Sequence, residues 1–348
     1  MKMVWYYFMN CIVSLALSFT FRKRTAHNKE NIPKKDPVIF VANHQNGLVD
    51  AIMIPTMPMQ EVYFITRADV FKNPIVGRFL RSINMIPIYR LRDGRDKMAK
   101  NTEILDYCAD LLVEGKKIQM FPEGNHNEQR RVRSFKKGFA DIAFLALAKQ
   151  PDLPIKIVPV GINYDTKNDF AASVALYYGQ PIDARDYYRP EDLKDSSAKL
   201  TLAAREAVKK LTTHIESKDT YDEKIKELEN EGINFLNPRV ANQLIEKDNF
   251  KGGQALKKQK TLVGSIIYYI FTVLNIFPLL LWWKFKKGIK DRTFVSTFRF
   301  VFVFLVFPLF YLIVGGVLAH FWGNTVGLAY LAGSILLGYL RKRLPYWY

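Results

Sequence analysis

The sequence predicts an α/β domain with a largely parallel sheet and flanking helices, carried between membrane-embedded helices at both ends. Three observations predict it. Short apolar runs alternate with longer helical patterns through roughly residues 30–260. Long uncharged apolar stretches lie near the two ends. Basic residues border those stretches.

Composition narrows the function before any motif is read. The 348 residues carry 51 Lys and Arg against 33 Asp and Glu, a formal net charge of +18. With 49% hydrophobic and 14% aromatic residues, the chain is not an intrinsically disordered one. The charge leaves two partners, nucleic acid or an anionic membrane surface with phosphate-bearing substrates. Cys11 and Cys108 form no Cys-x-x-Cys, so neither a disulfide scaffold nor a thiolate zinc site is supported.

In chain order, residues 3–21 are 19 uncharged residues closed by Arg22-Lys23-Arg24. Only Lys2 precedes them and no small-x-small cleavage site follows, so residues 1–24 read as a retained membrane anchor or interfacial helix. A domain follows over 25–217. Strands are expected at 38–42, 62–66, 84–89, 117–121, 155–160 and 174–178. Helices are expected at 47–56, 71–81, 97–114 and 136–149. After Pro190 the chain turns charged and helical, and 218–260 read as solvated helices and a linker.

Residues 261–348 form a C-terminal membrane region. The segment 262–283 is uncharged with basic flanks on both sides and Pro278 inside, which fits a re-entrant or a spanning helix. The 41 uncharged residues 300–340 are about 60 Å of helix, enough for two crossings. Gly315-Gly316 or Gly323-Asn324 offers the bend. Basic residues at both ends, Arg299 and Arg341-Lys342-Arg343, make it a hairpin with both ends cytoplasmic.

Chemistry gathers at the predicted strand ends. Asn43-His44-Gln45-Asn46-Gly47-Leu48-Val49-Asp50 follows the first strand. A His paired with an Asp can take a proton from an attacking hydroxyl. The block holds no Ser, Thr or Cys, which favours direct attack by a substrate hydroxyl over a covalent acyl-enzyme. Residues six apart on a helix do not face each other, so His44 must lie in the loop with the helix starting near Gly47. Phe121-Pro122-Glu123-Gly124-Asn125-His126 follows another strand, with Arg130, Arg131, Arg133, Lys136 and Lys137 beyond it. Five cations in eight residues before a helix make a phosphate site or a basic loop facing lipid headgroups. Ile86-Pro87-Ile88-Tyr89-Arg90 delivers one Arg to a strand end, and Ile157-Val158-Pro159-Val160 is a strand broken by a proline. The five histidines show no metal-ligand spacing, and no metal is expected.

Together and in this order, the four clusters resemble the glycerophospholipid acyltransferase family, the PlsC-like membrane acyltransferases, over about residues 36–185. Phe135-Lys136-Lys137-Gly138 and Tyr178-Gly179-Gln180-Pro181-Ile182 add to the resemblance. It implies a glycerol-3-phosphate acyltransferase-like fold with His44 as general base and Asp50 as its orienting partner. It implies that Arg90, Glu123 and Gly124 position the acceptor phosphate. Two departures stand out. Five residues separate His44 from Asp50 where most members have four, and Asn125-His126 replaces the usual Thr-Arg. His126, Arg130 or Arg131 is then expected to stand in for the missing Arg, with Lys136 and Lys137 beside it. Both departures resemble a branch that includes fungal glycerol-3-phosphate and dihydroxyacetone-phosphate acyltransferases.

The expected function is transfer of a fatty acyl group from acyl-CoA or acyl carrier protein to a glycerophosphate hydroxyl in phospholipid biosynthesis, with lysophosphatidate as the first-ranked acceptor and glycerol-3-phosphate or dihydroxyacetone phosphate as the alternative, without a cofactor. The protein is expected to be integral to an anionic membrane, with its catalytic domain on the cytoplasmic face. A non-catalytic lipid-binding protein on the same fold is the rival. Nucleic-acid binding is not expected, since no helix-turn-helix, zinc finger or RNA-reading motif occurs.

Overall fold

The computed structural model describes residues 2–90, 94, 96, 99–166, 172–247, 261–289, 291 and 294–344. It opens with helix α1 (Lys2–Thr20), strand β1 (Lys23–His27), strand β2 (Val38–Ala42) and helix α2 (Gly47–Thr56). Then come β3 (Tyr63–Arg67), α3 (Pro74–Ser82), β4 (Met85–Ile88), α4 (Asn101–Val113), β5 (Lys117–Met120) and α5 (Gly138–Lys149). The sheet is completed by β6 (Lys156–Tyr164), β7 (Ser173–Tyr178) and β8 (Ile182–Asp183). Three helices follow: α6 (Leu193–Leu211), α7 (Tyr221–Asn230) and α8 (Pro238–Glu246).

The strand order is β1-β7-β6-β2-β5-β3-β4, with β8 paired to β6. Strands β6, β2, β5, β3 and β4 are parallel neighbours, while β7 and β8 run antiparallel to β6. The expected α/β class with a largely parallel sheet is therefore what the chain adopts. Central strand β2 shows why. All five residues of Val-Ile-Phe-Val-Ala are buried, as a parallel strand covered on both faces requires. Ile39 and Val41 face α4, α5 and α6 through residues such as Leu112, Phe139 and Val208. Val38, Phe40 and Ala42 face the other layer, built from α1 and α2 through Leu17, Val49 and Met53.

Two local signals shaped helix starts. Asn73 caps α3, its side chain accepting from the Ile75 and Val76 amides, and Pro74 occupies the first turn. The expected start at 71 is therefore three residues early, and a short 3-10 turn fills Ala68–Phe71. In α4 the expected residues 97 and 98 lie outside the described residues. Strand β6 runs four residues past its expected end, to Tyr164. Strand β1 was not expected, because Lys23 and Arg24 read as a membrane flank; they instead pair with Ser173 and Val174 on the sheet edge.

The ends of the chain depart further from the reading. Helix α1 is docked along the domain at both of its ends. The Tyr6 hydroxyl donates to the Gln60 carbonyl and accepts from the Val62 amide, and the Trp5 indole donates to the Ser82 hydroxyl. Ala16 and Leu17 enter the sheet core. Met3, Val4, Phe8 and Leu15 are exposed on its outer face, and the helix is long and apolar enough to cross a membrane. Residues 218–247 are no solvated linker. Tyr221, Leu228, Phe235 and Ala241 bury one another, and the Tyr177 hydroxyl donates to the Leu236 carbonyl. Residues 248–260 lie outside the described residues.

The C-terminal region contains α9 (Leu262–Leu274), α10 (Ile276–Lys287), α11 (Val295–Trp322) and α12 (Asn324–Arg343). Helices α9 and α10 bend by 83° at Asn275, a broken span or re-entrant loop. Pro278 has no amide for the Leu274 carbonyl, and the Asn275 side chain donates to the Phe271 carbonyl at the bend. Helix α11 contains a π-helical turn at Phe302–Val306, just before Pro308. Gly323 at φ 89° makes the hairpin turn to α12. Gly315 stays inside α11, where its carbonyl lies 2.5 Å from where a Cβ on Gly327 would sit. That is close helix packing of the small-residue kind. Arg299 is fully buried inside the protein. The long apolar helices give the chain the means for membrane association.

Candidate active site

The parallel strands β2, β3, β4, β5 and β6 all end on one side of the sheet. Such carboxyl ends are where open α/β sheets bind ligands. His44 follows β2 in a loop, and α2 begins at Gly47, whose φ of 27° lets the chain turn there. Asp50 sits on the first helical turn and points back over that loop.

The result is a dense network on one carboxylate. Asp50 Oδ2 accepts from the amides of Gln45 and Asn46, both at 2.7 Å, and from His44 Nδ1 at 3.0 Å. Its Oδ1 accepts from the Tyr164 hydroxyl at 2.6 Å. Asp50 is fully buried while the His44 side chain keeps 13% exposure. With Asp50 holding the Nδ1 proton, Nε2 is the ring atom left to accept a proton from a hydroxyl. Phe121, at the end of β5, stacks on the imidazole at 4.0 Å and fixes its plane. Burial and the neighbouring carboxylate push the Tyr164 phenol well above its ordinary range, so it stays a donor.

The acyltransferase family pattern matches residues 23–163. Over that stretch the chain is similar to the acyltransferase family. Relatives give the same picture. A chloroplastic 1-acyl-sn-glycerol-3-phosphate acyltransferase of Brassica napus is 30% identical over 41% of this chain and 39% of its own length. An enzyme of that name from Chlamydomonas reinhardtii is 32% identical over 44% of each chain. Glycerol-3-phosphate O-acyltransferase 2 of Saccharomyces cerevisiae is 33% identical over 33% of this chain and 14% of its own. The match thus spans less than half the length of these relatives. A crystal structure of the PlsC acyltransferase from Thermotoga maritima aligns with 53% of this chain and 71% of that one, at a TM-score of 0.37 and 25% identity.

The remaining site residues divide into two groups. Glu123 is buried and paired through its Oε2 with Arg133, at 2.8 Å from Nε and 2.6 Å from Nη2. Burial pushes its carboxyl pKa up, and the Arg133 and His44 charges oppose the shift. Gly124, at φ 80°, brings backbone against the Lys136 stem; a Cβ there would meet Lys136 Cε at 2.9 Å. His126 lies edge-on to His44 at 5.6 Å, and its Nε2 is 3.5 Å from Asp291 Oδ2. Burial and then the His44 charge hold its imidazole pKa below the ordinary range. Arg90 binds Asp69 at 3.2 Å at the end of β4.

Three predicted cations are directed elsewhere. Arg130 turns into the core, donating to the carbonyls of Tyr164 and Asp165 and stacking on Phe235 at 3.8 Å. Arg131 ties down the Glu216 carbonyl. Lys137 pairs with Asp141 one turn along α5. Against the expected stand-in role, Arg130 donates to carbonyls at the end of β6 and Arg131 donates to one in the loop after α6.

Sequence reasoning missed several residues around the site. Arg67 ends β3 as Arg90 ends β4, and both bind Asp69. Its signal was the same one that singled out Arg90. Tyr164 was missed because β6 outruns its predicted end. Thr297 and Arg299 come from the start of α11. The Thr297 hydroxyl accepts from the Leu48 amide at 3.2 Å, and Arg299 lies over Phe21 and lowers the Tyr164 pKa against the Asp50 effect. No local pattern in 295–299 points to a site 250 residues earlier.

Proposed function

We propose that this protein transfers a fatty acyl group from a CoA or acyl-carrier-protein thioester to 1-acyl-sn-glycerol-3-phosphate, at the cytoplasmic face of a membrane. The observation that carries the reading is the His44–Asp50 pair at 3.0 Å, completed by two backbone amides and Tyr164. In the proposed reaction, His44 Nε2 takes the proton of the acceptor hydroxyl as its oxygen attacks the thioester carbonyl. The tetrahedral intermediate collapses, the C–S bond breaks, and the imidazolium returns the proton to the thiolate. Asp50 holds the tautomer and stabilises the imidazolium. Acceptor phosphate is received by Arg67 and Arg90, with Lys136 over Gly124 on the other side.

The names of the plant and algal relatives favour lysophosphatidate as acceptor. The five-residue spacing and the yeast relative favour a second reading, glycerol-3-phosphate acylated at its first position. An assay with labelled acyl-CoA separates them. Product from lysophosphatidate alone supports the first reading; product from glycerol-3-phosphate alone replaces it with the second.

A further inference from the structure

A cavity of about 520 Å³ opens between α1, α11 and α12, away from His44. Its walls are apolar, with Leu15, Phe19, Phe307, Leu331 and Ile335 among the lining residues. Its one charged border is Arg341 and Lys342. A second cavity of about 430 Å³ lies along the same helix α1, bordered by Ser14, Ser18, Arg22, Arg24, Lys29 and Arg343. No carboxylate lines either cavity among the described residues.

Two donors at this border are buried and unmatched. Lys342 is 3% exposed, and its ammonium has no hydrogen-bond partner among the described residues. It faces the rings of Phe19 at 5.0 Å and Tyr339 at 5.4 Å. Arg24 gives Nη2 to the Ser14 carbonyl and hydroxyl, while its buried Nη1 has no partner among the described residues. The charges of Arg24 and Arg343 also reach Lys342. Buried cations that repel one another persist when a counter-charge completes them.

We infer that the two cavities together hold an anionic glycerophospholipid, with acyl chain in the apolar cavity and the phosphate on Arg24 and Lys342. The chemistry is that of basic pockets between membrane helices, which bind phosphate head groups. The site shares no residue with the His44 network, so it stands whether or not the acyl-transfer reading does. An occupant would also bridge α1 to the C-terminal hairpin.

The test uses the full chain in detergent, with phosphatidate or phosphatidylcholine added, read by native mass spectrometry and by thermal melting. Wild type and His44→Ala are expected to retain phosphatidate and not phosphatidylcholine. Arg24→Gln/Lys342→Gln is expected to retain about five-fold less or lower. As a check on folding, Lys342→Met is expected to melt at or above the wild-type temperature without lipid, and to gain nothing from phosphatidate, which raises wild type. The inference is overturned if the double variant retains phosphatidate as wild type does, if phosphatidylcholine is held equally, or if His44→Ala alone loses the lipid.

Discussion

Two buried charged clusters in this chain are built in opposite ways. Asp50 at the sheet end receives four hydrogen bonds on two oxygens, from two amides, an imidazole and a phenol. Lys342 and Arg24, beside the C-terminal hairpin, bury donors that meet no acceptor among the described residues. The Asp50 carboxylate is fully partnered, so its task is to hold one side chain, His44, in one orientation. The second is incomplete, so its task is to receive something. Saturation of the partners separates a positioning network from a binding site, because an unsatisfied buried charge costs far more than a satisfied one returns.

Breaking the Asp50 cluster has the largest expected effect. His44→Ala should lower kcat/KM by about 10³-fold or more, with the melting temperature close to wild type. Asp50→Asn should cost roughly as much by favouring the wrong imidazole tautomer, and the loss should sit in kcat. Assays at saturating acceptor check both. Arg67→Ala and Arg90→Ala test whether the strand-end cations receive phosphate. Each should raise the acceptor KM about 10- to 100-fold, since hydrogen bonds to charged groups contribute roughly 1.5–3 kcal/mol. The KM for the acyl donor should not change.

Smaller effects sharpen the comparison. Tyr164→Phe removes one of four donors to Asp50 and should lower kcat about 10- to 100-fold with KM unchanged, as loss of an outer partner does. Thr297→Val removes the hydroxyl that caps the Leu48 amide. It should cost about 0.5–2 kcal/mol of stability and a few-fold in rate, read by melting and kcat. A Thr297→Val protein that lost all activity while melting normally would place that hydroxyl in contact with substrate rather than with α2.

Much of this was legible in the sequence, and the limits have physical reasons. The alternating strands and helices were readable because parallel strands buried on both faces are short and uniformly apolar, as Val38–Ala42 shows. The helix start at Gly47 followed from the need to let a His and an Asp six residues apart meet. Strand β1 escaped because a sheet-edge strand of Lys-Arg-Thr-Ala-His has no apolar alternation. Helix α1 reads as apolar by composition, and its contacts at Tyr6 and Leu17 with the domain had no signal in the sequence. The basic run after Gly124 looked like one phosphate site. Four of its five cations, Arg130, Arg131, Arg133 and Lys137, are held by partners within the protein, since charge in sequence says nothing about which way a side chain turns. Thr297 and Arg299 belong to an apolar helix by pattern and to the His44 surroundings by tertiary contact alone.

The central claim is that His44 activates the hydroxyl of a phosphate-bearing acceptor. It is tested most directly by measuring transfer from labelled acyl-CoA to lysophosphatidate and glycerol-3-phosphate in parallel, with wild type and His44→Ala purified alike. The expected result is product from wild type with lysophosphatidate and at least about 10³-fold less from His44→Ala. Equal product from the two proteins, or none from wild type with either acceptor and a competent donor, would contradict it.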